Sequence, residues 1–114
     1  MSKKLVYIPL GSMWRVHLYR EELLKASSTY GIEGKIISPS FPLKEKAYNP
    51  RRRQFNALIL LNQVCKLKIE KESLLCMGVT AADIYVPRMN YIFGIADNSR
   101  GCAILSVAQL TYAQ

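Results

Sequence analysis

The side chains able to do chemistry are few and scattered. His17 is the single histidine, and Glu21 follows it by one helical turn, so a helix would carry both on one face. Two ligands at that spacing hold a metal weakly, whereas tight zinc sites take three or four. Nucleophilic and acid–base catalysis want a histidine beside a carboxylate or hydroxyl, and His17 reads as an ordinary helical histidine, at the surface or half-buried. Leu10-Gly11-Ser12 stands where a strand meets a helix, the place of phosphate-binding loops. One glycine falls short of a P-loop or dinucleotide fingerprint, and helix capping accounts for it. Arg51, Arg52 and Arg53 form a candidate anion grip. The spacing places them on the first turn of a helix, the end whose dipole disfavours cations. Water screens that penalty to roughly a few tenths of a kcal/mol, so a plain solvated surface serves as well. Asp83 interrupts an apolar run. With no partner evident in the chain, it reads as a turn or backbone cap.

Cys65, Cys76 and Cys102 are odd in number and lack a C-x-x-C pair. That usage suits a reducing cytosol, with the thiols as small core residues rather than a zinc knuckle or disulfide framework. Sixteen Lys plus Arg against eight Asp plus Glu give a net charge of +8. The excess gathers at Lys44 and Lys46, at Arg51 to Arg53, and at Lys66, Lys68 and Lys71. Such a field attracts nucleic acid or acidic peptides, or simply keeps the surface solvated. No apolar run reaches bilayer length. The basic start, Met1-Ser2-Lys3-Lys4, precedes a run broken by Pro9 and Gly11, which is no signal peptide. The expectation is a cytoplasmic chain without a membrane partner.

The elements that must position these groups follow from periodicity. With 114 residues, half of them hydrophobic, the chain makes one domain, residues 1–114. Leu5 to Ile8 reads as a buried strand. Ser12 caps a helix whose stripe is Val16, Tyr19, Leu23, Ala26 and Tyr30, with Gly31 as its end. Lys35 to Ser38 is a second strand and residues 39–48 a loop. Asn49 and Pro50 start a second helix as cap and first residue, with Phe55, Leu58, Ile59, Leu61 and Cys65 on its buried face. Leu74 to Val79 is a third strand. Strand, helix, strand, helix, strand predicts parallel strands with right-handed crossovers. Tyr91 to Ile95 and Cys102 to Val107 are then joined by a hairpin-length linker, Ala96 to Gly101. The fold class is α/β: a mixed β-sheet of about five strands, βαβαβ and then an antiparallel edge hairpin.

The stretch from Val79 to Pro87 (VTAADIYVP), Met89 to Ala96 (MNYIFGIA) and Gly101 to Ser106 (GCAILS) resembles the archaemetzincins, zinc-dependent metallopeptidases of the metzincin clan. Their pattern is G-V/I-T-x-x-D-L/I-Y-V-P, then N-F/Y-V/I-F-G-x-A, then G-x-A-x-x-S. Upstream, Tyr48 to Ala57 (YNPRRRQFNA) is similar to the family's approach to its own second helix. The resemblance implies a metzincin-like N-terminal subdomain. In it Tyr91, Ile92, Phe93, Gly94 and Ile95 form the antiparallel edge strand that walls the substrate cleft, where an extended peptide adds as a further strand. It also implies zinc in the full-length family, held by the histidines of H-E-x-x-H-x-x-G-x-x-H with the glutamate as general base, and a cysteine-rich second zinc site beyond. That motif is not in these 114 residues. The reading is therefore a truncated peptidase half, without catalytic residues, bound cofactor or metal ligands of its own, and inactive alone. A surface normally covered by the zinc helix would be left open to self-association or to the missing C-terminal half. The alternatives are a small basic module for nucleic acid or another polyanion, and a peptide-binding pseudo-peptidase.

Overall fold

The computed structural model describes residues 4–11, 20–29, 31–37, 40–67 and 75–109. Ser12, Val16, His17, Tyr19, Tyr30, Ser38, Pro39, Lys68, Lys71 and Leu74, all used in the sequence reading, lie outside the described residues.

The main sheet has five strands: β1 (Lys4–Leu10), β2 (Glu33–Ile36), β5 (Leu75–Thr80), β7 (Gly94–Asp97) and β8 (Cys102–Ser106), in the order β2-β1-β5-β8-β7. The pairs β2–β1, β1–β5 and β5–β8 are parallel, and β7 closes one edge antiparallel to β8. This is the mixed α/β sheet that the periodicity predicts. A second, three-stranded sheet was not foreseen. It consists of β3 (Tyr48–Asn49), β4 (Gln54–Asn56) and β6 (Ile84–Tyr85).

β1 alternates cleanly. Val6, Ile8 and Leu10 face a core under α2 (Ala57–Leu67), while Tyr7 faces a smaller core with Leu23 of α1 (Arg20–Thr29). Burial on both faces is what parallel strands with helical crossovers require. The strand runs past its predicted end through Pro9. The Tyr7 and Pro9 carbonyls both accept from the 37–41 segment, so the missing proline N–H points to the side where β2 has already ended. No ladder bond is lost there.

Each helix keeps part of its expected stripe and departs from it at one residue: Leu23 is buried on α1, and on α2 Leu61 is buried with Ile59 and Cys65 packed against the core. On α1, Ala26 is exposed and Ser27 is buried. The Ser27 hydroxyl donates to the Leu24 carbonyl at 2.9 Å, which satisfies it inside the helix. Tyr7 Oη donates to the Leu23 carbonyl at 2.8 Å, and burial pushes its phenol above the usual range, so it stays a donor. On α2, the buried row is Ala57, Leu60, Leu61, Gln63 and Val64, whereas Leu58 is exposed. The helix also starts later than expected. Asn49 caps no helix: its Oδ1 accepts from the Arg51 and Arg52 N–H groups, closing a turn between β3 and β4. Phe55 consequently lies in β4, and Arg51 to Arg53 form the turn rather than a helical first turn. Arg53 takes φ of +54° there, a left-handed conformation that local turn closure must stabilise.

The cysteines also depart from expectation. Cys65, near the end of α2, is bonded to Cys102 at the start of β8, with Cα atoms 5.4 Å apart. Cys76 is buried and takes no part in the disulfide, and it is the register partner of Cys102 on the adjacent strand. Thirty-seven positions separate the bonded pair, so only the docking of α2 on the sheet reveals it.

Candidate functional site

The strand edge at β7 and the loop leading into it are the most site-like surface. The edge strand begins later than the sequence suggests. Gly94 and Ile95 belong to β7, but Tyr91, Ile92 and Phe93 precede it. Ile92 instead bridges to Ile84 of β6, its N–H donating to the Ile84 carbonyl at 3.0 Å. The chain is thus shared between two sheets, which period-two alternation alone does not distinguish from one continuous strand.

The side chains of this segment divide between two sides. Ile92 and Ile95 pack on the α2 core. Tyr91 and Phe93 project together on the outer side, their rings edge-to-face at 5.5 Å. With Met89 they are among the most exposed large apolar residues, at 40, 49 and 54% for Tyr91, Phe93 and Met89. Residues Arg88 to Gly94 line an open hollow of about 610 Å3.

The backbone orientation of β7 follows from the ladder. Ser106 N–H donates to the Phe93 carbonyl at 2.8 Å. Alternation then turns the backbone groups of Ile95 and Asp97 toward β8 and those of Gly94 and Ala96 outward. Among the described residues no strand lies beyond β7. Two successive outward N–H and C=O sets therefore stand beside an apolar hollow.

The loop before β7 is held by a polar network that the sequence reading missed. Arg52 donates from Nε to Gln54 Oε1 at 2.9 Å, contacts the Met89 and Asn90 carbonyls through its Nη2, and lies 3.9 Å over the Tyr85 ring. Gln54, buried, donates through Nε2 to the Asn90 carbonyl at 2.6 Å and to Asp83 Oδ2 at 2.9 Å. Gln109 Nε2 reaches the other Asp83 oxygen at 3.0 Å. Asp83 does have partners in the chain: two glutamine amides from 29 and 26 positions away. Among the described residues its carboxylate takes these side-chain donors rather than a backbone N–H. Of the three arginines only Arg52 turns inward to the loop, while Arg51 and Arg53 are exposed. The network's one sequence signal is position, since glutamines and an arginine flank a short β-rich run.

At the far end of β7, Asp97 fastens the hairpin turn. Ser99 Oγ donates to its Oδ1 at 2.6 Å, and Arg100 Nε donates to Oδ2 at 2.7 Å. These bonds, Ser99's foremost, hold the carboxyl at about 2 against an ordinary 3.8. Because the folded value lies below the unfolded one, the turn favours the folded chain above pH 3.8 and loses that contribution as pH falls through about 2. A carboxyl-resolved NMR titration should find the Asp97 midpoint near 2, and a midpoint at the ordinary value would remove the effect.

No known family profile matches the chain. Curated relatives do. The archaemetzincin of Archaeoglobus fulgidus is 36% identical over 68% of this chain and 44% of its own length. That of Pyrococcus furiosus is 30% identical over 96% of this chain and 59% of its own. The crystal structure of the Methanopyrus kandleri archaemetzincin matches with a TM-score of 0.78 at 28% identity, over 96% of this chain and 60% of that one. The chain spans about half the length of the curated relatives it matches.

Proposed function

Because this chain is archaemetzincin-like in both sequence and fold over nearly its whole extent, we propose that it supplies the sheet and substrate-binding edge of a zinc peptidase and does not hydrolyse peptides by itself. The observation carrying this reading is the edge of β7, unpaired among the described residues, beside the Met89–Phe93 hollow. An extended peptide pairing with Gly94 and Ala96 gains main-chain hydrogen bonds, and Tyr91 and Phe93 offer its side chains an apolar wall.

Zinc is the metal the family implies, and the described residues do not fit it. No three of their His, Cys, Asp or Glu side chains come together, and Cys65 and Cys102 are bonded to each other. The whole chain carries one histidine, fewer than the trio that tight zinc catalysis takes. What remains is binding and orientation. The exposed aromatic patch suits cover by the rest of a peptidase or by a second copy. Among the described residues no helix is long and apolar enough to cross a membrane.

Ala96→Pro tests the edge directly. It removes one outward N–H and no bond to β8, a position where an edge strand accepts proline. A fluorescein-labelled, unstructured peptide rich in Phe and Val should bind the wild-type chain, and Ala96→Pro should weaken that binding at least about tenfold, the worth of one or two hydrogen bonds, with circular dichroism unchanged. Equal binding by the variant would refute the edge mode. Chelator-sensitive cleavage of the peptide by the purified chain would refute the lack of hydrolysis.

A further inference from the structure

Between the exposed row of α2 and the segment at Lys44 to Lys46, the fold assembles a second recess that the peptide-binding reading does not use. Residues Lys44, Lys46, Asn56, Leu58, Ile59, Asn62, Gln63 and Lys66 enclose about 290 Å3. Two of the basic clusters noted in the sequence meet here, although 20 positions separate Lys46 from Lys66. Leu58, Asn62 and Lys66 recur every four residues along one row of α2.

A buried glutamine builds the meeting. Gln63, 8% exposed, donates through Nε2 to the Pro42 carbonyl at 2.8 Å, and its Oε1 faces the Lys44 N–H at 3.4 Å. That pair fixes the segment leading into the turn at Glu45–Ala47, so Lys44 and Lys46 are held over α2 toward Lys66. Like charges gathered this way repel one another. Among the described residues no carboxylate pairs with any of the three, and Glu45 lines a neighbouring hollow with Leu43, Tyr48 and Phe55.

The remaining polar groups are donors as well. Asn56 Oδ1 accepts from the Leu58 N–H at 2.9 Å, and Asn62 Oδ1 accepts from Arg100 Nη1 at 3.0 Å. Each of these oxygens is already engaged once, and three ammonium groups and two amide NH2 groups dominate the polar lining of the recess. A lining dominated by positive charge and donors disfavours cations and favours anions. Its size, at the small end for ligand sites, excludes a macromolecular surface as the bound group.

We infer that this recess binds a compact multivalent phosphate, of the size and charge of a diphosphate group, with the Leu58 and Ile59 side chains forming its apolar rim. Lysines act on such a group as point charges, with the amides as directional donors. The diphosphate chemistry is shared by free pyrophosphate and by a nucleoside diphosphate, and the apolar rim allows for either.

Isothermal titration at low salt with inorganic pyrophosphate, ADP and citrate separates the outcomes. Pyrophosphate should bind one to one. Lys46→Gln and Lys66→Gln should each weaken it about tenfold, the factor for one charge-assisted hydrogen bond, and Arg53→Gln, on a different turn, should not. ADP binding more tightly than pyrophosphate would point to the nucleotide as source, and equal binding to the free anion. No binding by the wild-type chain would overturn the inference. So would undiminished binding by both lysine variants, or citrate binding as tightly as pyrophosphate. All three substitutions sit on exposed side chains, and unchanged thermal midpoints would confirm that the fold persists.

Discussion

Reduction of the Cys65–Cys102 bond is expected to lower the stability of the folded chain by about 4 kcal/mol. The bond closes a loop of 37 residues, and a cross-link that long removes much of the freedom of the unfolded chain. Its position raises the consequence. It ties the end of α2 to β8, and β8 is the strand on which the β7 edge rests. A domain of this size holds roughly 5–15 kcal/mol in all, so the loss is a large share. Urea unfolding with and without reductant measures it, and Cys65→Ser should reproduce the reduced curve. Under denaturing, non-reducing conditions one thiol should titrate, that of Cys76, against three after reduction. A urea midpoint indifferent to reductant would mean that the two cysteines are not bonded in solution.

Gly78→Val should destabilise the chain by about 3 kcal/mol, the upper end for overpacking a core. Gly78 lies in β5, between β1 and β8, on the face that α2 covers. A Cβ there would run into Cγ2 of Val64 and stand 3.0 Å from Ile104 Cδ1 and 3.2 Å from Leu10 Cδ1. Val64, Ile104 and Leu10 are themselves essentially fully buried, so no flexible side-chain end can swing away. The remaining relief is to lift α2, and the Cys65 bond beside Val64 opposes that. Val64→Ala placed in the Gly78→Val background should restore about 1 kcal/mol or more, because contacting sites couple. Strictly additive losses would show that the helix does not approach the strand as closely as described.

The same two positions show where sequence reasoning reaches its limit. Cys76, Gly78 and Val79 are legible as a buried strand because apolar runs bounded by turn residues leave few other readings. Nothing in that run says that Gly78 faces Val64 or that Cys102 faces Cys65. Those contacts depend on the height and rotation of α2 over the sheet. Leu60 and Val64 join the expected Leu61 in the core while Leu58 stays exposed, and β4 occupies Gln54–Asn56 so that the helix begins at Ala57. Asn49 illustrates the mechanism: its side chain closes a turn or caps a helix with the same hydrogen bond from a following N–H, and the β4 pairing with β6 decides between them.

The linear order of residues determined the α/β class, the parallel succession of strands and the antiparallel closing hairpin, and it carried the archaemetzincin resemblance through Gly78 to Ser106. Those features rest on local periodicity and turn chemistry, which neighbouring residues settle among themselves. Tertiary structure alone decided the Cys65–Cys102 bond, the inward engagement of Arg52, the glutamine partners of Asp83 and the gathering of Lys44, Lys46 and Lys66. Each joins groups from separate elements. Their proximity is fixed by how those elements pack around the sheet, a property of volumes and shapes that no short window of sequence contains.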